Sequence, residues 1–335
     1  MKMRTVFALF LSVLCLFTGL SLAADARPIT MVDFSWDSVQ VHNRVAAYVL
    51  EKGFGKETDF IFAESLPGFM GMERGDADFS MEGWIDNLLE VWERVTGNGK
   101  MVSLGANFPD APQGWYVPTY MIKGDEKRGI KPVAPDLKSV ADLPKYKELF
   151  RDPEDPKKGR LLNGPAGWQV TSINEMKVKG YGLENDINAF SAGSETALAA
   201  SIKRAYERGE PVLAYYWEPT WVMGLYDMTM LEEPPYDQKL WNEENLYACA
   251  TPPVRVLVVA NTKFVEANPE IAEFLRKYNT TLDQNNKVLA FMDETHADAE
   301  KAALWFLKNY GDVWKPWLAS DVAEKVEAAL AKEEI

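Results

Sequence analysis

Short apolar runs alternate with stretches of helical spacing along most of the chain. Ile29–Phe34 is a compact apolar run and predicts a strand, and Ser38–Lys52 carries Val41, Val45, Tyr48 and Val49 on one helical face. The same reading predicts strands at Asp59–Ala63, Asp78–Trp84, Met101–Ala106 and Gly114–Met121, with helices at Gly68–Gly75 and Asp86–Val95. Residues 123–160 break the rhythm with charges and prolines, and predict a surface excursion holding one helix near Ser139–Phe150. Alternation resumes with strands at Arg160–Leu162, Ile187–Ser191 and Pro211–Tyr216, and helices at Val170–Lys179 and Glu195–Arg208. The acidic stretch Leu231–Glu244 reads as loop, and Val254–Ala260 is the strongest strand signal of all. Four helices follow: Phe264–Tyr278, Thr281–Met292, Ala297–Asn309 and Ser320–Lys332. Strand–helix alternation of this kind predicts two α/β units, each a mostly parallel sheet covered by helices. If Val254–Ala260 returns to the first sheet, two segments cross between the units and a cleft lies between them, where small ligands bind.

The first segment changes the picture of where the protein works. Residues 1–24 read as a cleaved secretory signal: Lys2 and Arg4, then the apolar run Val6–Leu22, then small residues at Ser21 and Ala23. Export to a bacterial periplasm is the expectation. Past that segment Cys249 is the one cysteine, which leaves no partner for an intramolecular disulfide.

Composition narrows the chemistry. The chain has 335 residues and a formal net charge of −14, so a nucleic-acid partner is not expected. It has only two histidines, His42 and His296, far apart in sequence. No GxSxG, HExxH, CxxC or P-loop motif occurs, and no glycine-rich dinucleotide loop. No enzyme, cofactor or metal site is therefore expected.

The surplus is aromatic: 11 Trp, 13 Tyr and 16 Phe. Three indoles stand at strand ends, where open α/β sheets present ligand-facing residues: Trp84 after DFSMEG, Trp168 in Asn163-Gly-Pro-Ala-Gly-Trp168, and Trp217 after PVLAYY. Trp36 and Trp115 hold intermediate positions, whereas Trp92, Trp241, Trp305, Trp314 and Trp317 read as core. A quaternary ammonium group donates no N–H and spreads its charge over methyl groups. Ring faces suit it best, at ~0.5–2 kcal/mol each. A ligand carboxylate could find donors at the helix start around Ser35, Trp36 and Asp37, where Ser35 or Ser38 could equally be a plain N-cap.

With MEGWIDN around Trp84, GPAGWQ around Trp168 and YYWEPTW around Trp217, the sequence resembles the substrate-binding proteins of glycine betaine/proline-type ABC transporters. The resemblance covers the chain from ITMVDFSWDS through VRVLVVANTKF. It implies a two-lobed periplasmic binding protein of the type II kind, with lobe one at 28–121 plus 252–335 and lobe two at 122–251. It also implies a Trp cage for a trimethylammonium head, a hinge, a membrane permease as partner, and a monomer. Some relatives carry His four residues after the first cage Trp, where Leu88 stands here. Glu82 and Glu218 are further departures: carboxylates facing the cage would favour choline or trimethylamine N-oxide, whereas if their side chains point away glycine betaine remains the expected ligand, with choline, carnitine or trimethylamine N-oxide as alternatives. Trp36 and Trp115 could extend the cage. Two rivals remain: a secreted carbohydrate-active enzyme using Glu82 and Glu218, whose spacing across a cleft would have to suit glycoside hydrolysis, and a receptor for amino acids or sugars.

Overall fold

A computed structural model describes residues 27–109, 111–252 and 254–334. The expected signal segment, residues 1–24, lies outside the described residues. Ten strands are present among these: β1 (Ile29–Asp33), β2 (Thr58–Phe62), β3 (Phe79–Trp84), β4 (Met101–Phe108), β5 (Gln113–Pro118), β6 (Gly159–Asn163), β7 (Ile187–Ser191), β8 (Leu213–Trp217), β9 (Met228–Met230) and β10 (Val256–Asn261). They form two five-stranded sheets, ordered β2-β1-β3-β10-β4 and β7-β6-β8-β5-β9.

Each sheet is parallel on one side and antiparallel on the other. In the first, β1 runs parallel to β2 and β3, while β10 lies antiparallel between β3 and β4. In the second, β6 runs parallel to β7 and β8, while β5 is antiparallel to β8 and β9. The late return of β10 to the first sheet matches the sequence expectation. One expectation is corrected: the strand near Gly114–Met121 was placed in lobe one, but β5 pairs with β8 and β9 in the second sheet. Consecutive strands usually neighbour one another, and here the chain crosses between β4 and β5 instead.

Burial explains the helices. Helix Asp37–Lys52 buries Val41, Val45, Val49 and Leu50 against the first sheet. The helices after β10 bury Phe274, Phe306, Trp314 and Trp317 in the same core. Each such side chain contributes ~1.5–3 kcal/mol on burial. The single helix expected over Phe264–Tyr278 is two, Thr262–Ala267 and Pro269–Lys277. Pro269 lacks an N–H and starts a new helix more readily than it continues one. No helix among the described residues is long and apolar enough to cross a membrane.

Candidate functional site

Four strand ends carry the site. After β1 the chain presents Phe34, Ser35 and Trp36 before helix Asp37–Lys52 starts. Trp84 closes β3, and Trp217 closes β8. Trp168 ends the turn that leaves β6 and stands at the N-cap of helix Gln169–Gly180. That turn depends on glycine: a Cβ on Gly164 would lie 2.8 Å from Thr171 Oγ1 and 2.9 Å from the Trp168 ring. Thr171 donates from Oγ1 to the Pro165 carbonyl at 2.7 Å, which fixes the turn against the helix start.

These loops meet in a small cavity of about 40 Å³ between the lobes, room for one compact group and no polymer. The first lobe supplies Phe34, Trp36, Phe69, Glu82, Trp84, Asn87 and Leu88; the second supplies Trp168, Gln169, Tyr215 and Trp217. The ring planes make corners. Trp36 stands at 85° to Trp168 with centroids 5.7 Å apart, and Trp168 at 78° to Trp217 at 4.9 Å. Phe34 stacks behind Trp36 at 4.8 Å. The four indoles are only 3–8% exposed, so the lobes stand closed over the cavity.

Glu82 supplies the charge-bearing group of the site. Its Oε2 accepts from Trp36 Nε1 at 2.8 Å and from Trp84 Nε1 at 3.1 Å. The carboxyl thereby aims two indoles of the cage. Its Oε1 is buried without a hydrogen-bond partner. Full burial pushes the Glu82 carboxyl up to about 7, against the opposing pull of the Trp36 and Trp84 N–H groups. Behind it, His42 Nε2 stands 3.8 Å from Oε1, and His42 Nδ1 shares a 2.7 Å hydrogen bond with the Tyr278 hydroxyl. Burial lowers His42 to about 3, so it stays neutral and leaves the Glu82 charge uncompensated. No Lys or Arg lines the cavity.

The other expected residues fall elsewhere. Trp115 is fully buried in the second lobe, where Nε1 donates to Asn174 Oδ1 at 2.9 Å; it is core and no part of the cage. Glu218 does not line the cavity, and its side chain turns to Asn286. Asp37 lines a separate, smaller cavity beyond Trp36 and Trp217. Ser35 sits at the rim, where its Oγ accepts from Trp168 Nε1. Sequence reasoning missed Phe34, Tyr215 and Asn87. Tyr215 stands two residues before Trp217 in β8, the strand period that puts both on one face, whereas Phe34 lies just past the end of β1 and joins the wall by stacking on Trp36. The Tyr215 hydroxyl donates to Gln113 Oε1 at 2.7 Å, and Gln113 Nε2 to Asn87 Oδ1 at 2.9 Å, so a polar chain ties the two lobes beside the cage.

Two α/β lobes closed over one aromatic cavity define a two-lobed solute-binding protein. Residues 27–309 match the substrate binding domain of the ABC-type glycine betaine transport system, and the chain belongs to this family. Its members bind solutes and are not enzymes. A trimethylamine N-oxide-binding protein of Pelagibacter ubique (strain HTCC1062) is 25% identical over 312 residues, 92% of this chain and 96% of that protein. The glycine betaine/proline betaine-binding periplasmic protein of Salmonella typhimurium is 24% identical over 238 residues, 67% of this chain and 68% of that one. An ABC-transporter choline-binding protein solved with choline superposes with a TM-score of 0.73 at 17% identity, covering 90% of this chain and 98% of the other. The enzyme rival fails on geometry as well: Glu82 faces the cavity and Glu218 does not, so the two carboxyls flank no common bond.

Proposed function

We propose that the four indoles and Glu82 hold the head group of a small methylated ammonium compound that carries no carboxylate, trimethylamine N-oxide first and choline second. One observation carries this reading: the cavity is walled by Trp36, Trp84, Trp168 and Trp217, and the one carboxyl among its lining residues is that of Glu82. Ring faces favour the methylated cation. A carboxylate on the ligand would meet Glu82 with no Lys or Arg to offset it, which disfavours glycine betaine. Trimethylamine N-oxide is compact, and its oxygen can accept a hydrogen bond from a protonated Glu82. The Pelagibacter relative, similar along nearly its whole length, supports that choice. Choline, a full cation, suits the ionised form instead. The protein then acts as the exported, monomeric receptor of an importer. It closes its lobes on the ligand by hinge motion at the two connecting segments and presents the closed form to a membrane permease.

Titration of intrinsic Trp fluorescence at pH 6 and pH 8 with trimethylamine N-oxide, choline and glycine betaine tests this. A proton on Glu82 helps the N-oxide, so that affinity is expected to fall as pH rises through about 7. The choline cation favours the ionised carboxyl, so choline affinity is expected to rise over the same range. The ratio of the two affinities cancels anything that pH does to closure itself. Between pH 6 and pH 8 each affinity should change by up to about tenfold, in opposite directions, so the ratio should change by up to about a hundredfold, as a proton on Glu82 goes from mostly bound to mostly lost. In Glu82→Gln the ratio should become flat. Tightest binding of glycine betaine at both pH values, or no binding of any of the three, would overturn the reading.

A further inference from the structure

At the rim of the cleft, residues of the two lobes touch directly. Trp168, from the second lobe, donates its indole N–H to Ser35 Oγ of the first lobe at 2.8 Å. Ser35 in turn donates its hydroxyl to Glu64 Oε2 at 3.3 Å. Glu64 stands at the N-cap of helix Ser65–Arg74 with no hydrogen bond from its side chain to that helix, so the carboxylate is free to serve the rim. Opposite it lies Gly167. A Cβ there would stand 2.4 Å from Glu64 Cγ and 2.8 Å from Glu64 Cβ, so only glycine lets the two lobes approach this closely. Three observations thus converge on one contact: a hydrogen bond across the cleft, a second one that orients it, and a missing side chain that makes room.

We propose that Ser35, Glu64 and Gly167 form a clasp that holds the lobes shut on Trp168. On this assignment Ser35 is a positioning residue and not a contact to the ligand. The inference rests on the reading of the indoles as the ligand cage, because Trp168 is both a wall of that cage and the donor of the clasp. The chemistry is directional. When the lobes close, the indole N–H leaves water and requires an acceptor, which only Ser35 supplies. A contact made only in the closed form slows opening and leaves the first encounter with ligand unchanged, so its loss belongs in the dissociation rate. Ser35 is half-buried at the rim rather than sealed inside, so the clasp opens without stranding a charge.

Stopped-flow fluorescence with trimethylamine N-oxide on the full protein, for Ser35→Ala, Trp168→Phe and the double variant, is the test. Ser35→Ala is expected to raise the dissociation rate about fivefold, the worth of one hydrogen bond, and to leave the association rate within about twofold. Trp168→Phe keeps a ring and removes the donor. In that background Ser35→Ala should add less than about twofold. Effects that multiply in the double variant would overturn the clasp, because they would show that Ser35 and Trp168 act separately. A Ser35→Ala effect confined to the association rate would overturn it too. Small-angle scattering of Gly167→Ala and of the wild type, each with and without ligand, gives a readout of closure itself. The variant is expected to stay more open, and Glu64→Ala added to it should restore part of the compaction. Equal compaction of Gly167→Ala and the wild type would overturn the role of that glycine. Failure of the wild-type protein to bind or to compact with any methylated ammonium probe would strike the cage reading. In that case the unliganded scattering of Gly167→Ala against the wild type still judges the clasp.

Discussion

Trp36 and Trp217 each line two compartments, and the acids in those compartments are held in opposite ways. On one side Glu82 receives two indole N–H groups on a single oxygen, and faces a cavity that a cation can fill. On the other side Asp37 of the first lobe and Glu195 of the second line a small cavity together with Ser38 and Thr220. Neither carboxyl receives a hydrogen bond among the described residues. Both are pushed above the ordinary carboxylate range. Burial is the main cause in each case; Asp293 adds to it at Asp37, and Asp37 adds to it at Glu195. The contrast teaches that burial alone does not make an acid a ligand site. Glu82 has donors that fix its direction and an open space before it. Asp37 and Glu195 have each other, and closing the lobes brings like charges together unless a proton is taken up.

The largest break in this comparison is Trp217→Ala, which removes the wall common to both compartments. Affinity for trimethylamine N-oxide is expected to fall by roughly thirtyfold, the ~2 kcal/mol of a desolvated ring contact. Calorimetric titration reads it, and an unchanged far-ultraviolet circular dichroism spectrum shows that the fold persists. An unaltered affinity would remove Trp217 from the cage.

Glu195→Gln sharpens the contrast with a smaller effect of opposite sign. The raised pKa of Glu195 in the closed form means that closure binds a proton more tightly than the open form does. Closure is unpenalised at low pH, where the acid is protonated in both forms, and it weakens as pH rises through the closed-form value. Removing the charge should therefore tighten binding at pH 8 by about tenfold, and the gain should vanish near pH 3.5, about a unit below the ordinary carboxylate value, where the acid is protonated in both forms. Equal effects at both pH values would show that the pair does not titrate with closure.

Trp115→Phe is expected to have the smallest effect on the site. The Trp115 indole lies in the second core and donates to Asn174, so thermal unfolding should register a loss of ~1–3 kcal/mol from the shed volume and the orphaned acceptor. Ligand affinity should stay within about twofold, since Trp115 does not line the cavity.

Much of the aromatic cavity wall was legible in the sequence. Trp84, Trp168 and Trp217 stand at strand ends, and the alternation of strands and helices located those ends closely. Trp36 was visible as a neighbour of the first strand. Tyr215 was within reach of the same reasoning, because a two-residue step keeps a strand residue on one face; Phe34 was not, because β1 ends at Asp33. Glu82 and Glu218 were not separable, because each sits beside a cage Trp in the chain. Glu82 precedes Trp84 by two positions inside β3 and shares its face, whereas Glu218 lies past the end of β8, where that alternation no longer holds.

Most of the element order, the lack of common catalytic motifs and the aromatic chemistry of the site could be read along the chain. Those properties are local: they follow from side-chain spacing and from the kinds of group present. That β5 crosses to the second sheet, that Trp115 is core, that Glu82 and not Glu218 faces the cavity, and that Ser35 meets Trp168 across the cleft came from the folded arrangement alone. Each of these depends on contacts between residues far apart in the chain, where strand pairing and side-chain direction are set by packing between elements rather than by the pattern within any one of them.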